Sequence, residues 1–252
     1  MIKDLDLTVD RLNIRGQLYL PESAVQPYPA VILCHGVPSG TVDLTDGGYP
    51  LLAKTICEKG FAVYTFRFRG TGESEGNFDI LGWTHDLSAA IDAILLQPEI
   101  DKKRLALVGF SAGAAVALFV AAQDKRVAAV AACASPADFS AISESTNPQI
   151  TIHYFRKVGI IRDPEFPPSM EAWLEGFRSV NALKVVSTIS PRPVLFIQAA
   201  QDPVVPPANS EKLYAAAGEP RQIIIIEGNE HRLRRNQAAM ESLIGWLKAN
   251  LN

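Results

Sequence analysis

The sequence is short of several things that would define a function class. Its 252 residues include three cysteines, Cys34, Cys57 and Cys133, too few for a disulfide framework and spaced unlike any zinc motif. Basic residues do not outnumber acidic ones: 24 against 27 gives a formal net charge of −3. With no long run of either sign, nucleic acid is excluded as the main partner, because neutralising phosphates needs a basic face. No stretch approaches 18 uninterrupted apolar residues, so no membrane span is expected. The opening residues 1–7 lack the apolar core of a secretory signal, and a cytoplasmic location is the expectation. Low-complexity linkers and internal repeats are also missing, which makes a single domain over residues 1–252 the simplest organisation. What the chain does have is core material, with 48% apolar and 20% charged residues, and that composition excludes disorder.

The first twenty residues alternate, with Leu5, Leu7, Val9, Leu12, Ile14, Leu18 and Leu20 at the apolar positions. This is the pattern of half-buried antiparallel strands. Residues 30–34, 61–66, 104–108, 127–132, 193–197 and 222–226 are instead nearly continuous apolar runs, as in parallel strands covered on both faces. Helical segments are expected at 83–96, 111–123, 208–217 and 233–251. The first repeats Trp83, Leu87, Ala90 and Ile94 and is closed by Pro98. Strand and helix in alternation predict a doubly wound α/β sheet. Residues 135–187 break the rhythm, and six of the chain's twenty aromatics lie there. An insertion after a parallel strand sits at the carboxyl edge of the sheet, where ligands bind, and reads as a small cap. A satellite helical pair with its own minor core is the compatible alternative.

The sharpest chemical signal is Gly109-Phe110-Ser111-Ala112-Gly113, placed after a strand and opening a helix. A serine on such a tight turn has its hydroxyl lifted above the sheet, and small neighbours make the turn sterically possible. A serine hydroxyl needs a base. Of the four histidines, His231 follows the last strand on the same sheet edge, whereas His85 lies in an amphipathic helix and His153 in the insertion. The imidazole in turn needs a carboxylate, and Asp202, just past the strand 193–197, completes the order Ser, Asp, His. Glu227 and Glu230 are weaker substitutes. Two N–H donors are needed for the oxyanion. Ala112, after the nucleophile, supplies one, and Val37 in Cys34-His35-Gly36-Val37-Pro38 is chosen for the other. His35 is expected to shape that loop without moving protons.

These motifs, together with Phe68-Arg69-Gly70-Thr71-Gly72-Glu73-Ser74 and Asp202-Pro203-Val204-Val205, resemble an α/β-hydrolase of the serine esterase, feruloyl esterase and serine-aminopeptidase-like branch. The resemblance spans nearly the whole chain. It implies a mostly parallel eight-stranded sheet flanked by helices, the second strand antiparallel, with the cap after the sixth. It supports Val37 and Ala112 as oxyanion donors and implies no metal or cofactor. Serine at 111 departs from the cysteine of dienelactone hydrolases and the aspartate of dehalogenases and epoxide hydrolases. The triple-glycine loop of hormone-sensitive-lipase-like esterases is absent as well.

The expectation is therefore a serine carboxylesterase acting on small short-chain or aryl esters. Amide or peptide hydrolysis and thioester hydrolysis are alternatives within the fold, and a non-catalytic binding module is the alternative outside it. Phe139, Tyr154, Phe155, Phe166, Trp173 and Phe177 are candidates for an apolar acyl or aryl pocket. The Gly70-Thr71-Gly72 turn reads as packing beneath the site and not as a nucleotide loop. Arg232, Arg234 and Arg235 read as a solvated face, with attraction of an anionic substrate as the other option. A thiol nucleophile at Cys34 is disfavoured, since the elbow belongs to Ser111. Edge strands at either end of the sheet would permit a homodimer.

Overall fold

Seven consecutive buried residues, Tyr28–Cys34, run through the middle of the molecule. The computed structural model describes residues 1–22, 25–38 and 46–251. The strands are β1 (Ile2–Asp4), β2 (Leu7–Val9), β3 (Leu12–Ile14), β4 (Gly16–Tyr19), β5 (Tyr28–Cys34), β6 (Ala62–Phe66), β7 (Ile100–Phe110), β8 (Ala129–Cys133), β9 (Val194–Ala199) and β10 (Arg221–Ile226). Eight form one sheet in the order β1-β4-β6-β5-β7-β8-β9-β10. β4 runs antiparallel to both its neighbours, and β5 to β10 are mutually parallel. This is the α/β-hydrolase fold that the motifs implied. β2 and β3 form a separate antiparallel hairpin, turned by Asp10 and Arg11, both at positive φ of 50° and 68°, as a tight two-residue turn requires.

The side-chain period of two divides the parallel strands between two cores. In β5, Ala30, Ile32 and Cys34 enter one apolar cluster and Val31 and Leu33 the other. Helices α2 (Ile80–Leu95), α3 (Ala112–Gln123) and α8 (Ala208–Ala216) cover the first face, and α1 (Gly48–Cys57) and α9 (Gln237–Leu251) the second. Helix α3 is buried almost all round, so it shows no polar stripe. Two expectations change. Helix α1 was not among the expected helices, and Gly47, Gly48 and Pro50 stand at its start. The segment 233–251 begins as a short 3₁₀ turn, Leu233–Arg235, and Asn236 then restarts the chain by capping the Ala239 N–H at 3.0 Å.

Between β8 and β9 lie α4 (Ser140–Ser143), α5 (Pro148–Lys157), α6 (Met170–Ser179) and α7 (Ala182–Val185), the insertion after the sixth strand of the sheet. Its Trp173 indole donates to the Phe78 carbonyl at 3.1 Å, tying it to the start of α2. Among the described residues, no helix is long and apolar enough to cross a membrane.

A buried polar anchor is Arg69, whose backbone N–H and guanidinium both bind the fully buried Asp86 of α2, at 2.8 and 2.7 Å. Its guanidinium also reaches Asp10 at the hairpin turn, at 2.9 Å. Breaking a buried pair by removing one partner leaves an uncompensated charge. Arg69→Met is expected to lower stability by about 3–5 kcal/mol, read from urea unfolding; a loss under about 1 kcal/mol would contradict this role.

Candidate active site

At the end of β7 the chain turns into α3 through Ser111, at φ 53° and ψ −128°, a conformation that costs a residue with a Cβ about 1–3 kcal/mol. Three glycines let the surrounding backbone close on it. A Cβ on Gly109 would lie 2.4 Å from Ala114 Cα, and one on Gly113 would lie 2.2 Å from the His35 carbonyl oxygen. A Cβ on Gly36 would lie 2.8 Å from Ser111 Cβ. The loop after β5 therefore rests directly on the serine.

Ser111 Oγ lies 3.2 Å from His231 Nε2, and His231 Nδ1 lies 2.8 Å from Asp202 Oδ2. The three residues come from the ends of β7, β10 and β9, as the sequence order required. Asp202 is fixed from every side. Its Oδ1 accepts the Val204 and Val205 N–H groups at 2.8 and 2.9 Å, and its Oδ2 accepts Gln198 Nε2 at 3.3 Å. The Gln198 side chain, fully buried, accepts from Ser210 Oγ at 2.8 Å. Gln198 and Ser210 were missed: Gln198 follows the expected strand 193–197, and β9 in fact runs on to Ala199. The Glu230 carboxylate accepts the Arg232 N–H at 2.8 Å, whereas it is Asp202 that meets His231 Nδ1. His85 is exposed and paired with Asp10, and His153 is exposed on α5.

His35 is buried and packs edge-on against the stacked pair Phe68 and Trp83. Its Nδ1–H donates to the Gly36 carbonyl at 2.7 Å, and its Nε2 accepts the Phe68 N–H at 3.1 Å. Thr71 Oγ1, from the glycine turn, lies 3.2 Å from the same nitrogen. A trans peptide points its C=O and N–H in opposite directions. Holding the Gly36 carbonyl thus turns the Val37 N–H away from the imidazole. Among the described residues, neither the Val37 nor the Ala112 N–H has an acceptor. The Cys34 thiol is fully buried, and burial pushes its pKa up, so no thiolate forms there.

The aromatics of the insertion, candidates for an apolar pocket, are mostly buried. Phe139, Phe155, Trp173 and Phe177 are at most 7% exposed and pack edge-on against one another and Phe78. They join the same apolar cluster as α2 and α3, while Tyr154 turns to solvent and Phe166 is half-buried. The residues 232–235 also differ from a solvated face, since Leu233 is fully buried and Arg234 is ion-paired with Asp46. Among the described residues, no group of three or more His, Cys, Asp or Glu side chains gathers as a metal site.

The model of the alpha/beta hydrolase family matches residues 31–241. The uncharacterized protein YfhR of Escherichia coli O157:H7 is 29% identical over 205 residues, covering 80% of this chain and 65% of that protein. The chain thus spans less than two thirds of that relative's length. Among solved structures, the alpha/beta hydrolase GrgF from Penicillium sp. sh18 superposes with TM-score 0.78 at 23% identity, covering 100% of this chain and 99% of that one. The esterase domain of a Rhodothermus marinus protein gives TM-score 0.73 at 22% identity over the whole of both chains.

Burial drives the His35 pKa down to about 4 from an ordinary 6.5. The unfolded chain then binds a proton between those values that the folded chain does not. Stability is full above pH 6.5 and falls as pH drops toward 4, by roughly 3 kcal/mol. His35→Asn, which keeps a donor for the Gly36 carbonyl, is expected to flatten this slope in urea midpoints measured from pH 7 to 4.5. An unchanged slope would contradict a neutral, buried His35.

Proposed function

Since the chain belongs to the alpha/beta hydrolase family, we propose that it is a serine hydrolase of small carboxylic esters, with short-chain or aryl groups as the substrate class. The observation that carries this reading is the unbroken hydrogen-bonded chain from Ser111 through His231 to Asp202, lying against a loop whose Val37 N–H has no acceptor among the described residues. In this reading His231 Nε2 takes the Ser111 proton as Oγ attacks the ester carbonyl. The Val37 and Ala112 N–H groups hold the oxyanion, a contribution of about 3–4 kcal/mol per donor. Collapse of the tetrahedral species expels the alcohol, which receives the proton from His231. Water, deprotonated by the same imidazole, then attacks the acyl-serine and releases the acid. Asp202 stabilises the imidazolium and keeps Nδ1 protonated throughout.

Thioesters and amides would use the same groups, and matched substrates with one acyl group separate the three bonds. The esterase among the structural neighbours favours the ester. A series of p-nitrophenyl esters of increasing acyl length is expected to give turnover that peaks at short chains. Ser111→Ala is expected to lower kcat by about 10⁴–10⁶ and Asp202→Asn by about 10⁴. A loss under tenfold for Ser111→Ala would mean that another group is the nucleophile. A severe Glu230→Gln beside a mild Asp202→Asn would reassign the acid.

A further inference from the structure

Arg234 lies three residues after His231, and Asp46 lies 188 residues earlier in the chain. Their side chains meet in a two-pronged ion pair, Nη1 to Oδ1 at 2.9 Å and Nη2 to Oδ2 at 2.5 Å. The pair is largely out of solvent, at 16% and 11% side-chain exposure. Burial pushes the Asp46 carboxyl up, but the Gly48 N–H and Arg234 outweigh it and hold the carboxyl below the usual range. The same guanidinium lies over the Tyr49 ring, 5.3 Å from its centre. Tyr49 in turn packs edge-on against Phe110, the residue before Ser111, and its ring lies 5.9 Å from that of His35, beside Gly36. One cluster therefore touches the serine turn, the loop of the proposed oxyanion donor and the segment carrying His231.

We propose that Arg234 and Asp46 are positioning residues for this site: their ion pair sets the His231 loop in register with the Gly36–Val37 loop. The link to His231 is short and stiff. The Leu233 N–H bonds the His231 carbonyl at 2.9 Å, the Leu233 side chain is fully buried, and Arg234 continues the same 3₁₀ turn. A shift of Arg234 is thus carried to the imidazole, and displacements of about 1 Å at a reacting group cost up to about 10²-fold in rate. Neither group reaches the substrate in this account. Their loss acts on kcat and leaves KM nearly unchanged, which separates positioning from binding of an anionic substrate.

The inference rests on the serine-hydrolase reading, so wild type against Ser111→Ala is measured first on a p-nitrophenyl ester. Equal turnover in the two would end that reading before any other variant is made. Asp46→Asn, Arg234→Gln and the double variant are then compared, with thermal unfolding as a check that each is folded. Each single change is expected to lower kcat by about ten- to a hundredfold with KM within about threefold, and the double to be no slower than the slower single. Arg234→Lys, which keeps the charge without the two-pronged fit, is expected between wild type and Arg234→Gln. Singles within twofold of wild type in kcat would overturn the proposal, as would a double whose loss is the product of the single losses. Should Arg234→Gln fail to fold, Asp46→Asn and Arg234→Lys carry the same kcat criterion.

Discussion

The site depends on one close approach. The backbone leaving β5 crosses the start of α3 at a distance that no side chain permits, so Gly36 and Gly113 face each other's strands without a Cβ. That contact puts the loop of His35, Gly36 and Val37 against Ser111, whose own backbone is held at a positive φ by the turn. The strain is offset by what surrounds it. The Ser111 N–H bonds the Cys133 carbonyl at 2.9 Å, and α3 is packed into the main core along nearly its whole length. A turn that is costly alone becomes the only arrangement the neighbouring layers allow.

Polar groups are buried here only where they orient something. Each carboxylate, amide and imidazole in the interior below the site has its partners. Asp202 is held by two backbone N–H groups and by Gln198, and Gln198 is held by Ser210. His35 is held as one tautomer by a donor on one side and an acceptor on the other. The cost of desolvating such groups is recovered only when every hydrogen bond is made. The result is a set of side chains with little freedom to be elsewhere. Preorganisation of this kind is what the proposed acyl transfer requires, because charge develops in a place the protein has already shaped for it.

Much of this was legible in the residues. The apolar runs marked the parallel strands, and the three residues now in hydrogen-bonding distance were found because each follows a strand at the same sheet edge. What was hidden is what depends on distant neighbours. The charged stretch Lys102-Lys103-Arg104 masked the first half of β7, which begins at Ile100. Aromatic clustering marked the insertion correctly, yet an aromatic that fills a core and one that lines a cleft look alike in sequence. Arg234 reads as one of three basic residues on a helix face until Asp46 is brought to it from the other end of the chain. Gln198 stands just past the apolar run 193–197, so neither its burial in β9 nor its partner Ser210 could be read there.

The central claim is that Ser111 is the nucleophile, and covalent capture tests it most directly. The protein is treated with a fluorophosphonate, its intact mass is recorded, and the modified peptide is located after digestion. The account predicts one adduct, on Ser111, formed far more slowly when His231 is replaced by alanine. A folded protein that takes up no label, or takes it up on another residue, would contradict it.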